Sequence, residues 1–500
     1  MAILRYGNEW TTKHTIKSIC LFFVHFVVLV TLMAGLLLGT KLNNFVEHMK
    51  EYGAGYLYSL FCVMLLVIIT YMYFFFEDRK LLSTGKNIAL IFLLLDFSFL
   101  ISWLVGGYID IFARPVAFIA LMAVALINRR AAVFLNVISS LLLFIADTFA
   151  GGFSTESAYY SSLLISFSAG MFAIFFSEKT KSRFGIVMVG ILIVIPIDLI
   201  IFLLEVSNFI SSIESGLATF QGILLRMGYG LFGGIASTIL FLTIMPIFEV
   251  GFNCLTVYRL RELTSADAKI LQHLKAVAPG TYTHSMTVAQ LAEASAAAIG
   301  ENVDYARAAA LYHDVGKLHY PEHYTENQGD YNVHDELTPE LSADIIRSHA
   351  LDGQKLIKAN HLPEFLSDIA VQHHGTMPIR YFYAKALKMT DGELNIEDFS
   401  YQGPKPQTKL AAIIMIADAS EAAVRAIDAR KPEQAEKAIR MVIEERMDLE
   451  QFSECDITMV DLTKIRMALV NTLTGVYHHR VKYPNIKYKK TESGTKGEHV

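Results

Sequence analysis

Eight stretches of about 20 apolar residues, each long enough to cross ~30 Å of hydrocarbon, fill the first half of this chain: 16–39, 57–76, 87–107, 109–127, 131–150, 158–176, 185–204 and 222–250. Runs of this length leave few options. In lipid every backbone polar group must be satisfied internally, so such segments become helices, and a wholly soluble protein is excluded. Charge is divided accordingly: of 43 basic and 48 acidic residues, 29 lie in 1–250 and 62 in 251–500. A greasy half thus precedes a half of ordinary soluble composition.

Loop charges set the expected orientation. Arg5/Lys13/Lys17, Arg79/Lys80/Lys86, Arg129/Arg130, Lys179/Lys181/Arg183 and Arg259/Arg261 fall on one side, while the alternate loops hold only Lys41 and Lys50. By the positive-inside rule both ends of the bundle face the cytoplasm, as an even number of spans requires. The first run follows basic residues as a signal peptide would, but it is too long for one and lacks a cleavage pattern, so it reads as an uncleaved anchor. The outward loops, about 41–56 and 205–221, are too short to fold alone.

Some ionisable residues lie in the runs, among them His25, Asp96, Arg114, Asp147, Asp198 and Arg226. Two readings stand for them: a ligand pocket or proton path, or groups that snorkel or pair near helix ends. Gly230 and Gly234 form a G-x-x-x-G, suited to close helix packing or to a dimer face.

The net charge of −5 offers no basic field for nucleic acid. Cys20, Cys62, Cys254 and Cys455 form no C-x-x-C pair and read as small hydrophobes in a reducing setting. The second half shows helical periodicity and little β-branched alternation. A helix start is expected at Thr264–Asp267, a break at Pro279-Gly280, and a new helix through His284, Val288, Leu291 and Ala292. The fold class is all-α: a polytopic membrane bundle followed by an all-α soluble domain.

Twelve of the 16 histidines fall in 251–480. Alone, each reads most simply as a core histidine; the combination is more informative. His313-Asp314 ends an alanine-rich run and is followed by Gly316, which permits a sharp turn, and Lys317. Adjacent residues on a helix point about 100° apart, so both reach one centre only if other helices complete its shell. Imidazole with carboxylate suits iron, manganese or zinc, and the lack of nearby cysteine argues against structural zinc. A carboxylate such as Asp314 can bridge two ions where an imidazole cannot. His334-Asp335 lacks the Gly-Lys turn and reads as surface or capping structure, with a place lining the substrate mouth as the other reading. His319, His323 and His361 fall in loops, and His478-His479 adjoins a basic tail.

The segments Ala278–Ser285, Leu311–Lys317, Thr325–Gln328, His334–Ser342, Ile346–His349, Val371–Thr376, Arg380–Tyr383 and Ala411–Ala423 together resemble the metal-dependent HD-domain phosphohydrolases. They resemble most the subfamily in which a multi-helix membrane region is fused to a C-terminal HD domain that hydrolyses cyclic di-AMP. The resemblance implies a two-metal site of His284, His313, Asp314, His349, His373, His374 and Asp418, holding divalent transition metals, manganese or iron. It makes Asp314 and Lys317 catalytic, with Lys317 meeting a phosphate and Thr376, Arg380 and Tyr383 contacting substrate. Cyclic di-AMP would be cut to linear 5′-pApA by a metal-activated hydroxide, in a bacterial inner-membrane protein of possible homodimeric form. The implied organisation is a cytoplasmic N-terminus at 1–15, an eight-helix bundle at 16–250, a linker helix at 251–275, the HD domain at 276–480 and a basic tail at 481–500. In one respect the sequence departs: relatives usually carry a large extracellular domain between the first two spans, where about fifteen residues stand here.

Competing readings are a cyclic di-GMP phosphodiesterase, another nucleotide phosphohydrolase, a transporter with an appended domain, and a receptor with an inactive HD module. The first should show Gly-Tyr-Pro after His373-His374-Gly375, where Thr-Met-Pro stands. A complete seven-residue set argues against the last two.

Overall fold

The apolar runs fold as helices in the computed structural model, which describes residues 11–38, 45–150, 156–178, 180, 182–211, 216–252, 254–390, 392–427 and 432–476. The expected basic tail, His478-His479 and residues 1–10 lie outside the described residues. The chain divides into two compact units, Met1–Ser265 and Ala266–Val500. No strand occurs among the described residues; the protein is all-α.

The first unit contains α1 (Thr12–Leu38), α2 (Phe45–Glu77), α3 (Gly85–Tyr108), α4 (Phe118–Leu126), α5 (Arg129–Ala150), α6 (Glu156–Ser177), α7 (Arg183–Ser211), α8 (Gly216–Phe252) and a short α9 (Val257–Leu263). Among the described residues six helices, α1, α2, α3, α5, α7 and α8, are long and apolar enough to cross a membrane; Ile111–Leu126 and Ser162–Ser177 are shorter apolar segments. Large apolar side chains such as Phe61, Leu65, Ile195 and Leu199 stand exposed, as expected of a multi-pass membrane protein whose outer face meets lipid.

The run 109–127 is not one helix, as its composition suggested. A 3-10 turn at Ile111–Ala113 leads into extended backbone at Arg114, and α4 begins only after Pro115. Proline drives its predecessor out of the helical region and lacks the N–H that would continue the ladder. Such a break is tolerated at membrane depth where protein covers it, and residues 111–123 are buried. Arg114 donates from both terminal nitrogens to Asp147 at 2.6 and 2.7 Å, and also to Ser162 at 3.2 Å. His25 lies 3.4 Å from Asp96 and stacks on Phe92. These ionisable residues therefore pair. On α8, a Cβ at Gly230 would strike Asp198 and Ile197, and one at Gly234 would strike Val194, all on α7. The G-x-x-x-G is used here for packing inside the bundle.

The second unit comprises α10 (Lys269–Val277), α11 (Pro279–Ile299), α12 (Val303–Tyr312), α13 (Pro339–Ala359), α14 (Glu364–Gln372), α15 (Arg380–Leu387), α16 (Lys409–Ala426), α17 (Pro432–Asp448) and α18 (Met459–Val476). Side chains of Asn302, Thr338 and Thr408 cap α12, α13 and α16 by accepting from first-turn amides. Alanines make the core: Ala289, Ala292 and Ala296 of α11, Ala308–Ala310 of α12, and Ala411 and Ala412 of α16 are buried. Small side chains let these helices approach closely, which brings together the larger polar groups they carry. Between bundle and core, the expected linker helix is two short helices, α9 and α10. Thr264 ends the first, and the second starts at Lys269 rather than at Thr264–Asp267.

Candidate metal centre

Each site residue arrives on its own element. His284 projects from the second turn of α11, His313 caps the C-terminus of α12, and Asp314 directly follows it. His349 sits mid-way along α13, His373 caps α14, and Asp418 belongs to α16. The three histidines that follow or lie in α12, α13 and α14 share one local device. The Nδ1 atoms of His313, His349 and His373 lie 2.6, 2.5 and 2.8 Å from the carbonyls of Ala310, Ile346 and Ala370, three residues earlier in each case. The Nδ1–H donates to that carbonyl, so the lone pair is left on Nε2. His284 is held through a side chain instead, with Nδ1 2.8 Å from Glu421 Oε2, and its Nε2 becomes a donor to metal only when the ring gives up a proton.

The freed Nε2 atoms converge on Asp314, whose two oxygens face different partners. Oδ1 lies 3.3 Å from His349 Nε2 and 3.6 Å from His373 Nε2, while Oδ2 lies 3.2 Å from His313 Nε2 and 3.7 Å from His284 Nε2. Asp418 faces His284 at 3.0 Å and His313 at 3.9 Å through Oδ1, and His374 at 3.9 Å through Oδ2. Two donor groups result, Asp314/His349/His373/His374 and His284/His313/Asp418, each with ligand atoms within 4.8 Å of one another. All seven residues expected from the sequence are therefore brought together.

The donors fit divalent ions. Separations of 3.0–3.9 Å are those of neighbouring ligands that share an ion at about 2.1 Å. Buried His313 Nε2 and Asp314 Oδ1 have no hydrogen-bond partner, an arrangement that is costly unless something else satisfies them. Charges agree. Burial would raise the Asp314 carboxyl, but facing His313 and Lys317 hold it well below the usual range, so it is a carboxylate. Asp418 is held low too, by His284 against burial. Burial pushes His349 down to about 4, and burial with His373 and His349 nearby lowers His374 well below its ordinary value. Both therefore stand neutral, the form that ligates metal.

Gly316 lies in the 3-10 turn Val315–His319 that follows Asp314. Its φ is not left-handed; its need is space, since a Cβ would fall 1.9 Å from the carbonyl oxygen of His349. The Gly-Lys turn thus lies directly against α13 where His349 departs. A glycine that is left-handed is Gly375, at φ 51°, where the chain turns after His373-His374.

Residues 281–423 match the family model of the HD domain, and residues 53–256 match that of the 7TM receptor with intracellular HD hydrolase. The chain belongs to this membrane-fused HD-hydrolase family. It is 35% identical to the cyclic-di-AMP phosphodiesterase PgpH of Bacillus subtilis, over 85% of this chain and 59% of that one. To PgpH of Listeria monocytogenes it is 39% identical, over 75% of this chain and 51% of that one. The chain spans little more than half the length of these curated relatives. Crystal structures of the L. monocytogenes PgpH HD domain are also similar: one at 46% identity over 42% of this chain and 100% of that one, with a TM-score of 0.41. Another, in complex with cyclic-di-AMP, is 48% identical over 43% and 99%, also with a TM-score of 0.41.

Within the HD domain Lys317 contacts the site: its Nζ lies 2.7 Å from Asp314 Oδ2 and 2.8 Å from Glu326 Oε1, over the ring of Tyr324 at 5.0 Å. Thr376 is held by Gln451, which accepts from its amide and donates to its hydroxyl, both at 2.9 Å. Arg380 pairs with Glu445 at 2.9 Å on the surface. Tyr383 donates to the carbonyl of Leu394 at 3.3 Å and packs on the cluster of Ala343, Phe382 and Phe399. The structure thus engages these four residues with protein partners. The second His-Asp pair lies outside the metal cluster. His334 is buried on Phe382 with Nε2 2.8 Å from the His323 carbonyl, rather than at the surface, whereas Asp335 is exposed.

Sequence reasoning gave no role to Glu421, Glu326 or Tyr401. Tyr401 stacks on His374 with centroids 4.3 Å apart. Glu421 carried one available signal: it lies three residues after Asp418, on the same face of an alanine-rich helix, where an acidic side chain has no other reason to be buried.

Proposed function

We propose that this protein is a membrane-anchored, two-metal phosphodiesterase that hydrolyses cyclic di-AMP to linear 5′-pApA. The observation carrying this reading is the division of Asp314, one oxygen towards His349 and His373 and the other towards His313 and His284. A bridging carboxylate between two imidazole sets is what a pair of divalent ions requires. His284, His313 and Asp418 would hold one ion, His349, His373 and His374 the other, with Asp314 shared. The all-N/O donor set favours manganese or iron. The ions when bound supply Lewis-acid polarisation of the phosphoryl oxygens and activation of water.

The chain's own residues do the rest. Backbone carbonyls and Glu421 fix the imidazoles so that no rotamer must be chosen on loading. Lys317, held between Asp314 and Glu326, keeps positive charge where the phosphoryl group gathers negative charge. The closed side of the centre is made by Asp314, His313 and His373, all buried, and the open side by His374 and Asp418, which are partly exposed. Substrate therefore approaches past His374 and Tyr401. Water adds its oxygen to phosphorus, the P–O3′ bond breaks, and the leaving 3′ oxygen takes a proton, which opens the ring and leaves a 5′-phosphate.

The names of the PgpH relatives support the substrate. Alternation of basic loops supports an inner-membrane bundle with the HD domain in the cytoplasm. The test is hydrolysis by the detergent-solubilised full chain loaded with Mn²⁺, offered cyclic di-AMP and cyclic di-GMP in parallel. Conversion of cyclic di-AMP to 5′-pApA is expected; a folded, loaded protein that leaves it intact would overturn the reading.

A further inference from the structure

One end of the membrane bundle encloses a second cavity, of about 590 Å³, among the ends of α2, α4, α5, α6 and α8 and the start of α9. That volume falls within the range of small-molecule sites. Its deeper wall is apolar and well packed: Phe74, Leu121, Ile186 and Phe241 are each buried to 1% exposure or less. Within this wall Ser177 keeps a hydroxyl that is buried, at 7% exposure, and has no hydrogen-bond partner. A buried hydroxyl without a partner is an open request for one.

The mouth is charged with both signs. Arg129 and Arg130 open the first turn of α5, facing Glu77 and Asp78 at the end of α2 and Glu178 just past α6. Arg130 pairs with Glu77 at 2.5 Å and Arg129 with Glu178 at 3.0 Å, all four side chains at least two-fifths exposed. Two guanidinium groups set among three carboxylates disfavour a purely anionic ligand, which would meet more negative than positive charge. They suit a group with an anion for the arginines and an ammonium for the glutamates, above a body that can fill an apolar pocket.

We propose that this cavity binds a zwitterionic amphiphile, a phospholipid carrying an amine and a phosphate in its headgroup. The headgroup lies among the Arg129–Glu178 and Arg130–Glu77 pairs, and the upper acyl region enters beside Ser177, whose hydroxyl meets the ester. The site is independent of the metal centre, so its occupancy can be read without any measurement of hydrolysis.

The test uses the full chain purified in detergent, with phosphatidylethanolamine labelled on its acyl chain as the probe. Unlabelled phosphatidylethanolamine, phosphatidylglycerol and free phosphoethanolamine serve as competitors. Saturable binding is expected, displaced by unlabelled phosphatidylethanolamine, about tenfold less well by phosphatidylglycerol, and hardly by phosphoethanolamine. Ala125→Trp, which fills the cavity, and Arg130→Glu, a change at a mostly exposed side chain, should each weaken binding about tenfold or more. If Ala125→Trp does not fold, Arg130→Glu decides alone. The proposal fails if probe binding does not saturate or if the folded variants bind as the parent does. Equal competition by phosphatidylglycerol removes the zwitterion requirement, and equal competition by phosphoethanolamine removes the lipid; either overturns it.

Discussion

Glu421 Oε2 lies 2.8 Å from Nδ1 of His284, the ring edge opposite the one that meets Asp418 and Asp314. A ligand histidine whose far nitrogen is held by a carboxylate is fixed in tautomer and direction, and is made more basic. Glu421→Gln keeps the shape but removes the charge. It is expected to weaken Mn²⁺ binding by about 10–100-fold, read by titration calorimetry, with helicity unchanged. An affinity equal to that of the parent would sink this role.

The same contact sets a pH dependence. Burial alone would lower His284, but hydrogen bonds with Asp418 and Glu421 overcome it and raise the imidazole of the metal-free site to about 10. At neutral pH the ring therefore carries a proton that an incoming ion must displace. Metal affinity should rise with pH from about 6 to 9, with proton release on loading. Calorimetry in buffers of different ionisation enthalpy measures the release directly, and a pH-independent affinity would contradict it.

Two His-Asp pairs permit a clean comparison. Asp314→Asn removes the carboxylate shared by both donor groups, and activity should fall by more than the roughly 100-fold limit for outer partners of a metal site. Asp335→Ala alters an exposed side chain and should leave rates near those of the parent. Equal losses in the two variants, assayed on cyclic di-AMP, would reverse the assignment.

Gly316→Ala tests packing rather than charge. The added methyl would fall 1.9 Å from the His349 carbonyl, so α13 must shift, at a cost of about 1–3 kcal/mol. A lower melting temperature together with weaker metal binding is expected; an unchanged melting temperature would show that α13 yields freely.

In the bundle, Arg114 and Asp147 are both buried and joined by two hydrogen bonds. Arg114→Leu leaves a buried carboxylate alone and should cost about 3–5 kcal/mol, whereas the double variant with Asp147→Leu should recover much of this. Thermal unfolding in detergent distinguishes the two, and additive losses would argue against the pairing.

Four of the seven donor residues stand out in the sequence as adjacent pairs, His313-Asp314 and His373-His374, on an all-α pattern, whereas His284, His349 and Asp418 are isolated and are assigned only through the resemblance to the HD-domain family. Tyr401 left no local trace, since it meets His374 only through the fold, and Glu421 left only its place one turn after Asp418. Of the eight spans expected from length, six runs form helices long and apolar enough to cross a membrane among the described residues, and 109–127 and 158–176 give shorter apolar segments. The break at Arg114-Pro115 was not legible, because hydropathy records how greasy a segment is and not whether its backbone continues. The proline was the available signal. Thr264 misled for a related reason: a capping residue type closes α9 as readily as it could have opened α10.

Three of the ligand imidazoles are steered by carbonyl oxygens, and a carbonyl oxygen belongs to the main chain. No replacement at position 310, 346 or 370 that preserves the helix can delete the acceptor. What limits change at those positions is packing, since Ala310 and Ala370 are buried, and not the aim of the rings. His284, which relies on a side chain for the same service, is left open to a single codon change at Glu421.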